Sequence, residues 1–186
     1  MEVKGTAVTA TVDYVRATHG PEGLAKVLDH LPADSRQLLT GKVLPSAWYP
    51  FTAGFVAPTK AVCDLFHGGD PAGAWKVGRY AAESALKGIY KALFLFISPR
   101  TVVERGPGIL TNYYRPMEAQ VKQLADTRFA VLVTGMTERS VFFDHRVAGY
   151  VERAVEMTNA KELSVQVVAS SGQGADRTEI HFVWKA

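Results

Sequence analysis

Cys63 and His67 are the first pair of residues in the sequence that could do chemistry together. They lie four positions apart in a segment that we predict to be helical, so the thiol and the imidazole share one face of the helix. Such a pair could be two ligands of a zinc ion, or a thiolate beside an imidazolium. A zinc site needs three or four ligands, and the nearest further candidate is Asp70. Because an isolated cysteine is often simply buried, we predict no metal site.

Ser140, Asp144 and His145 supply the residue types of a hydrolytic triad. Adjacent residues on a helix point about 100° apart, so Asp144 cannot readily orient the imidazole beside it. The sequence also lacks the Gly-x-Ser-x-Gly elbow that positions a nucleophilic serine. We therefore predict no catalytic residues and a protein that is not an enzyme.

Two glycine-containing segments could suggest a phosphate-binding loop, Gly106-Pro107-Gly108 and Gly172-Gln173-Gly174. Neither continues into Gly-Lys-Ser/Thr, and neither lies between a predicted parallel strand and a helix. We predict that both are turns, the second at the tip of a β-hairpin.

The chain of 186 residues, 47% of them hydrophobic, is typical of one globular domain over residues 1–186. Its longest apolar run, 92–97, is far shorter than the roughly 20 residues that span a bilayer. A single cysteine excludes an intrachain disulfide, so we expect a cytoplasmic protein. A net charge of +3 is too small to predict nucleic-acid binding. Basic residues between Trp75 and Arg115 favour either a solvated helix face or a docking surface for an acidic partner.

The hydrophobic pattern predicts a helical first half and a sheet in the second half. We expect helices over 6–18, 21–31, 33–39, 51–67 and 71–97, with Asp70 as the N-cap of the last. Residues 44–51 are predicted to be an ordered connection. A short helix reaching Tyr114, strands over 117–124 and 128–134, a helix over 138–158 and a hairpin of strands 163–169 and 177–185 should follow. The fold class is therefore α+β, with an N-terminal helical layer packed on a C-terminal antiparallel sheet.

Four small residues follow one another at helical spacing along the predicted helix 71–97: Ala81, Ala85, Gly88 and Ala92. Small side chains let another backbone approach closely. The stripe could therefore be a tight contact inside the monomer, the interface of a helix-mediated homodimer, or the wall of a narrow cavity.

Replacing Gly88 by leucine tests the interface interpretation. The added side chain cannot fit a tight contact, so the variant should lose the dimer or the fold. Native mass and melting temperature measure both, and unchanged values would contradict the interpretation.

Aromatic residues are concentrated in the helical half and could form either core or an apolar ligand pocket. The pocket candidates are Trp75, Tyr80, Tyr90, Phe94, Tyr113 and Tyr114. A tetrapyrrole or an acyl chain would suit such walls, although no motif predicts a particular cofactor.

Several stretches resemble known families. The helix from Val77-Gly78-Arg79-Tyr80 to Ser98-Pro99, and Val147-Ala148-Gly149-Tyr150 before the terminal hairpin, resemble 4-vinyl reductase domains and the similar trafficking-complex (TRAPP) subunits. The opening Lys4-Gly5-Thr6-Ala7-Val8 and the chain length are similar to haem nitric-oxide-binding (H-NOX) domains. An uncharacterised family found mainly in myxobacteria is similar at residues 44–51 and at Gly69-Asp70-Pro71 leading to Gly78-Arg79.

The resemblance implies a helical layer on an antiparallel sheet, dimerisation through helices, and binding of hydrophobic ligands or partners. It does not carry haem to this chain. H-NOX domains ligate the iron through a histidine before their sheet and hold the propionates with Tyr-x-Ser-x-Arg. Here no histidine occurs between His67 and His145, and that motif is missing, so no cofactor is predicted.

Together these observations predict a non-catalytic binding module that acts as a signalling sensor or adaptor, through helix-mediated dimerisation and a possible protein partner. The alternative is a small-molecule binder that holds a hydrophobic ligand in an aromatic-lined cavity.

Overall fold

A computed structural model describes residues 1–86 and 96–185 of the chain. Its helices are α1 (Gly5–His30), α2 (Ala33–Thr40), a π-helical turn (Thr52–Val56) that runs into α3 (Ala57–Phe66), α4 (Gly73–Ala85), α5 (Pro99–Tyr113) and α6 (Val141–Glu156). Within these ranges no helix is both long enough and apolar enough to cross a membrane.

The strands form two antiparallel sheets. They are β1 (Glu2–Lys4), β2 (Trp48–Pro50), β3 (Tyr114–Arg115), β4 (Glu118–Ala125), β5 (Arg128–Thr134), β6 (Lys161–Ala169) and β7 (Thr178–Lys185). The larger sheet has the order β4-β5-β7-β6, and the smaller has the order β2-β1-β3.

The larger sheet confirms the predicted antiparallel sheet and hairpin. On β7, Ile180, Phe182 and Trp184 are buried, and they alternate with residues of greater exposure, as a strand with one face on the core requires. The ring of Trp184 stacks on Phe129 of β5 at 5.3 Å between centroids. Helix α5 packs against β4 and α6 against β6, so helices cover one face of this sheet. The fold class is α+β, as predicted.

The smaller sheet was not predicted. Strand β2 lies inside the segment that we expected to be a connection, and it pairs with β1 through Val3 and Tyr49. Strands of two or three residues are too short to show an alternating pattern, so only the pairing in three dimensions reveals them.

Helix α1 joins the two predicted helices over 6–18 and 21–31. The break was predicted correctly, because Gly20 leaves the helical conformation there with φ of 67° before Pro21. Helix α4 differs more from its prediction, since it begins at Gly73 and ends at Ala85. Asp70 stabilises the turn before α4 by accepting a hydrogen bond from the backbone N–H of Ala72 at 2.8 Å. Residues 87–95 lie outside the described ranges.

The predicted turn at Gly106-Pro107-Gly108 is wrong, because α5 continues through it. The helix begins with Pro99 in its first turn and with the Ser98 hydroxyl accepting from the N–H of Thr101 at 3.1 Å. Val103 and Leu110 are buried on either side of the glycines. Burial of this apolar face outweighs the poor helix propensity of the three residues. The second predicted turn is confirmed, since residues 172–174 lie in the loop between β6 and β7.

The buried residues of the described ranges form two core clusters. One lies between the larger sheet, α1, α5 and α6, and includes Phe51, Phe55 and Phe143. The other joins α1, α3 and α4 through Val15, Val62 and other residues. Helices α1 and α4 therefore contribute to both clusters. The candidate site lies where these two helices meet α5 and α6.

Candidate functional site

Helices α4 and α6 cross at two glycines. A Cβ atom added to Gly78 would lie 2.0 Å from the carbonyl oxygen of Arg146, and one added to Gly149 would lie 2.2 Å from the carbonyl oxygen of Trp75. Real Cβ atoms do not approach other atoms below about 3.0 Å. Only glycine at both positions lets the backbones of α4 and α6 come this close.

Charged side chains hold the same crossing from outside. The indole N–H of Trp75 donates to Glu152 at 2.7 Å. Arg79 also donates to Glu152, and it donates through both terminal nitrogens to Glu156 at 2.7 Å. Burial tends to raise the pKa of Glu156, but the hydrogen bonds from Arg79 and Arg153 outweigh it and hold the pKa below its usual value. These hydrogen bonds and the close backbone contacts at the two glycines hold α4 against α6.

A cavity of about 70 Å³ lies between α1, α4, α5 and α6. Its described walls are mostly aliphatic and aromatic, and they are Thr6, Ala7, Ala10, Gly78, Ala81, Ala85, Ile109, Leu110, Tyr113, Tyr114, Arg146, Val147 and Tyr150. One water needs about 10–15 Å³ by the same measure. The cavity therefore has room for several waters or for a short hydrocarbon chain.

Arg146 is the charged residue of the described cavity wall, and it is only 3% exposed. Its guanidinium donates to the hydroxyls of Thr11 at 2.8 Å and Thr59 at 2.9 Å, and to the carbonyl oxygen of Ala7 at 2.8 Å. It also lies 4.1 Å above the ring of Phe55, in a cation–π arrangement. Burial lowers the pKa of Arg146 to about 10, so the side chain still carries its charge at neutral pH.

Three tyrosines line the cavity beside this cation. Burial raises the pKa of Tyr150 to about 12 and raises that of Tyr114 further. Both phenols are therefore protonated at neutral pH and keep an O–H that can donate a hydrogen bond. The described wall thus combines apolar surface, one buried cation and neutral hydroxyl groups.

The structure brings some of the predicted site residues together and separates others. Tyr113 and Tyr114 line the cavity, whereas Trp75 binds Glu152 at the helix crossing. Tyr80 packs edge-on against Tyr14 at 5.7 Å, next to the second core cluster. Of the small-residue stripe, Ala81 and Ala85 line the cavity. The predicted residues outside the described ranges are Gly88, Tyr90, Ala92 and Phe94.

Arg146 and Tyr150 line the cavity but were not among the residues predicted for it. A signal was present, because Arg146 follows Phe143 by three positions and precedes Tyr150 by four, which places a cation on an apolar helix face. The pattern does not show whether such an arginine reaches solvent along its aliphatic chain or is buried with its charge. Only the packing of α1 and α3 around it decides that.

The other candidates for chemistry, Cys63 and His145, pack against other parts of the protein. Cys63 is fully buried, and burial raises its pKa to about 11, so it remains a thiol at neutral pH. No group of three His, Cys, Asp or Glu residues that could hold a metal occurs in the part of the chain that the structure describes. Burial lowers the pKa of His145, whose ring lies 6.1 Å from that of Trp75.

Asp144 is fully buried and anchors the loop between β6 and β7. Its carboxylate accepts hydrogen bonds from the hydroxyls of Ser170 and Thr178 and from the backbone N–H of Gly172 at 3.1 Å. The carboxylate is therefore occupied by the loop and does not orient His145.

Comparison with solved structures places the chain in the H-NOX fold. An H-NOX protein from S. oneidensis in the Fe(II)NO ligation state superposes with a TM-score of 0.73 at 13% identity, over 98% of this chain and 99% of the other. The Fe(II) unliganded H-NOX protein from K. algicida gives 0.69 at 13% identity, over 98% and 97%. An H-NOX variant from T. tengcongensis gives 0.67 at 15% identity, over 98% of both chains. Neither a family model nor a curated relative matches the sequence.

Proposed function

We propose that this chain is a non-catalytic sensor module that binds a small hydrophobic molecule in the cavity between α1, α4, α5 and α6. The observation that carries the proposal is the cavity itself, with its mostly apolar walls contributed by four helices. Ligand sites in proteins are typically concave and apolar with a few placed polar groups, and this cavity has that composition. The H-NOX fold of the chain supports the same assignment, because the matched H-NOX structures include an Fe(II)NO ligation state and an Fe(II) unliganded state.

Haem does not fit this site. The cavity of about 70 Å³ is far smaller than the roughly 300–1,000 Å³ of pockets for larger ligands. None of its described wall residues is a histidine, a cysteine or a methionine, and residues 87–95 of the sequence contain none of these either. A tyrosine can ligate haem iron, but the raised pKa values of Tyr114 and Tyr150 disfavour the phenolate that would do so. The proposed ligand is therefore a smaller organic molecule.

The position of the described small residues on the cavity wall supports a role in a ligand site. Ala81 is half-buried, Ala85 is exposed, and both line the cavity. Homodimerisation and an adaptor role with a protein partner in the cytoplasm stay predictions. In the proposed sensor, occupancy of the cavity would be transmitted through α4 and α6, which form its walls and cross at Gly78 and Gly149.

Filling the cavity with a side chain should abolish ligand binding without unfolding the protein. We expect 1-hexanol to raise the melting temperature of the wild-type protein, since a ligand that binds only the folded state stabilises it. Ala81→Leu should remove this effect, because the larger side chain takes the space of the ligand. Differential scanning calorimetry with and without the alcohol measures both.

Ala25→Leu is the matched control, since it makes the same change at an exposed position of α1. This variant should respond to 1-hexanol as the wild-type protein does. The proposal is wrong if 1-hexanol leaves the wild-type melting temperature unchanged, or if Ala81→Leu responds like Ala25→Leu.

A further inference from the structure

Arg146 carries a buried positive charge for which the described part of the protein offers no counter-charge. It is 3% exposed, and no carboxylate of residues 1–86 or 96–185 makes an ion pair with it. The nearest acid along the chain, Asp144, is bound to Ser170, Thr178 and Gly172 instead. Residues 87–95 contain two lysines and no aspartate or glutamate, so they cannot supply an acidic side chain.

An uncompensated buried charge is costly, and buried charges in proteins are therefore paired or bound to a ligand. The two threonine hydroxyls, the carbonyl oxygen and the Phe55 ring offset part of this cost, but none of them carries a formal negative charge. An anion beside the guanidinium would neutralise the charge of Arg146.

The described residues accept hydrogen bonds from only part of the guanidinium. An arginine has five N–H donors. Both N–H groups of Nη1 and one N–H group of Nη2 are used by Thr11, Thr59 and Ala7. The Nε–H and the second Nη2–H have no acceptor among the described residues. Two N–H groups of one guanidinium suit the two oxygens of a carboxylate.

We propose that the ligand of the cavity is a small amphipathic acid whose carboxylate pairs with Arg146 and whose hydrocarbon chain packs on the apolar walls. This inference rests on the proposed function and names the chemical class of the ligand. Arg146 is a wall residue together with Ala7, Tyr114 and Val147, and its guanidinium donates to the carbonyl oxygen of Ala7.

The single cation selects a monoanion. A phosphate group carries up to two negative charges, and with one arginine on the described wall the second charge would be buried without a partner. A carboxylate matches both the charge and the two N–H groups that no described residue accepts. The volume of about 70 Å³ limits the chain to a short one.

The test compares hexanoate with 1-hexanol, which has the same chain length and no charge, by isothermal titration calorimetry at neutral pH. Hydrogen bonds to a charged group predict that hexanoate binds the wild-type protein about tenfold to a hundredfold more tightly than 1-hexanol does. Arg146→Met should weaken hexanoate binding by the same factor and should change 1-hexanol binding by less than about threefold. Arg177→Met, at an exposed arginine of the β6–β7 loop, should bind both probes as the wild-type protein does.

The comparison in the wild-type protein needs no variant, so it decides the question even if Arg146→Met does not fold. If 1-hexanol binds and hexanoate binds no more tightly, the cavity is a ligand site but the inference that its ligand is an acid is wrong. If Arg146→Met binds hexanoate as the wild-type protein does, Arg146 is only structural and the inference is overturned. If neither probe binds the wild-type protein, the proposed function fails as well.

Discussion

Replacing Gly78 by alanine is expected to lower the free energy of unfolding by about 2–3 kcal/mol, at the upper end of what overpacking costs. The added Cβ atom would lie 2.0 Å from the Arg146 carbonyl oxygen and 2.9 Å from the Tyr150 backbone nitrogen. These are backbone atoms of α6, so no side chain can rotate away, and the two helices must separate. Alanine would gain about 1 kcal/mol of helix propensity over glycine, and the clash has to exceed that gain.

The melting temperature should fall by roughly 5–10 °C in a protein of this size, as measured by calorimetry. Gly108→Ala provides the control, because Gly108 is also helical but its added Cβ would meet no atom within 4 Å. That variant should be neutral or more stable by up to about 1 kcal/mol. Equal stability of Gly78→Ala and Gly108→Ala would show that α4 and α6 do not cross at this position.

Replacing Asp144 by alanine is expected to lower the free energy of unfolding by about 2–4 kcal/mol, because buried hydroxyl donors lose their acceptor at about 1–3 kcal/mol each. The buried carboxylate accepts three hydrogen bonds, from Ser170, Thr178 and Gly172. Without it, the hydroxyls of Ser170 and Thr178 remain buried, and each unsatisfied donor adds to the cost. Helix α6 would then lose its link to the loop between β6 and β7.

Urea unfolding measures the loss, and hydrogen exchange of the Gly172 amide measures its local part. Exchange at Gly172 should accelerate more than exchange at the centre of β5, because the anchor is local. Asp13→Ala is the control, since Asp13 is an exposed helical aspartate with a single pair to Arg16 at 3.5 Å. Surface changes of this kind stay within about 0.5 kcal/mol. An Asp144→Ala protein as stable as Asp13→Ala would contradict the anchoring role.

The sequence predicted the elements that carry a long periodic pattern. Strand β7 is an example, because the alternation of Ile180, Phe182 and Trp184 is read from residue types alone and the structure confirms it. The break at Gly20-Pro21 and the order of helices followed by an antiparallel sheet were predicted in the same way. In each case the local sequence and the tertiary environment favour the same structure.

The sequence failed where tertiary packing opposes local preference. Gly106-Pro107-Gly108 has the composition of a turn, yet it is helical because Val103 and Leu110 are buried on either side. The candidate site was only partly accessible to prediction for a related reason. Aromatic density indicated Tyr113 and Tyr114, but the cavity is built by residues of four helices that no spacing along the chain connects.

Arg146 shows that a buried charged residue is equally hard to predict from the sequence. In the sequence it is one of 21 basic residues, and its place on an apolar helix face does not show whether its charge is solvated or buried. It becomes distinctive only when Thr11 and Ala7 of α1 and Thr59 of α3 are seen to surround it at the cavity wall. A functional hypothesis for this side chain therefore requires the fold.

A crystal structure of the protein grown with hexanoate would show directly whether the cavity binds a small acid through Arg146. We expect electron density for the acid between α1, α4, α5 and α6, with a carboxylate oxygen about 2.7–2.9 Å from a guanidinium nitrogen of Arg146. Density for the chain elsewhere on the protein, or a cavity that holds only water at saturating hexanoate, would contradict it.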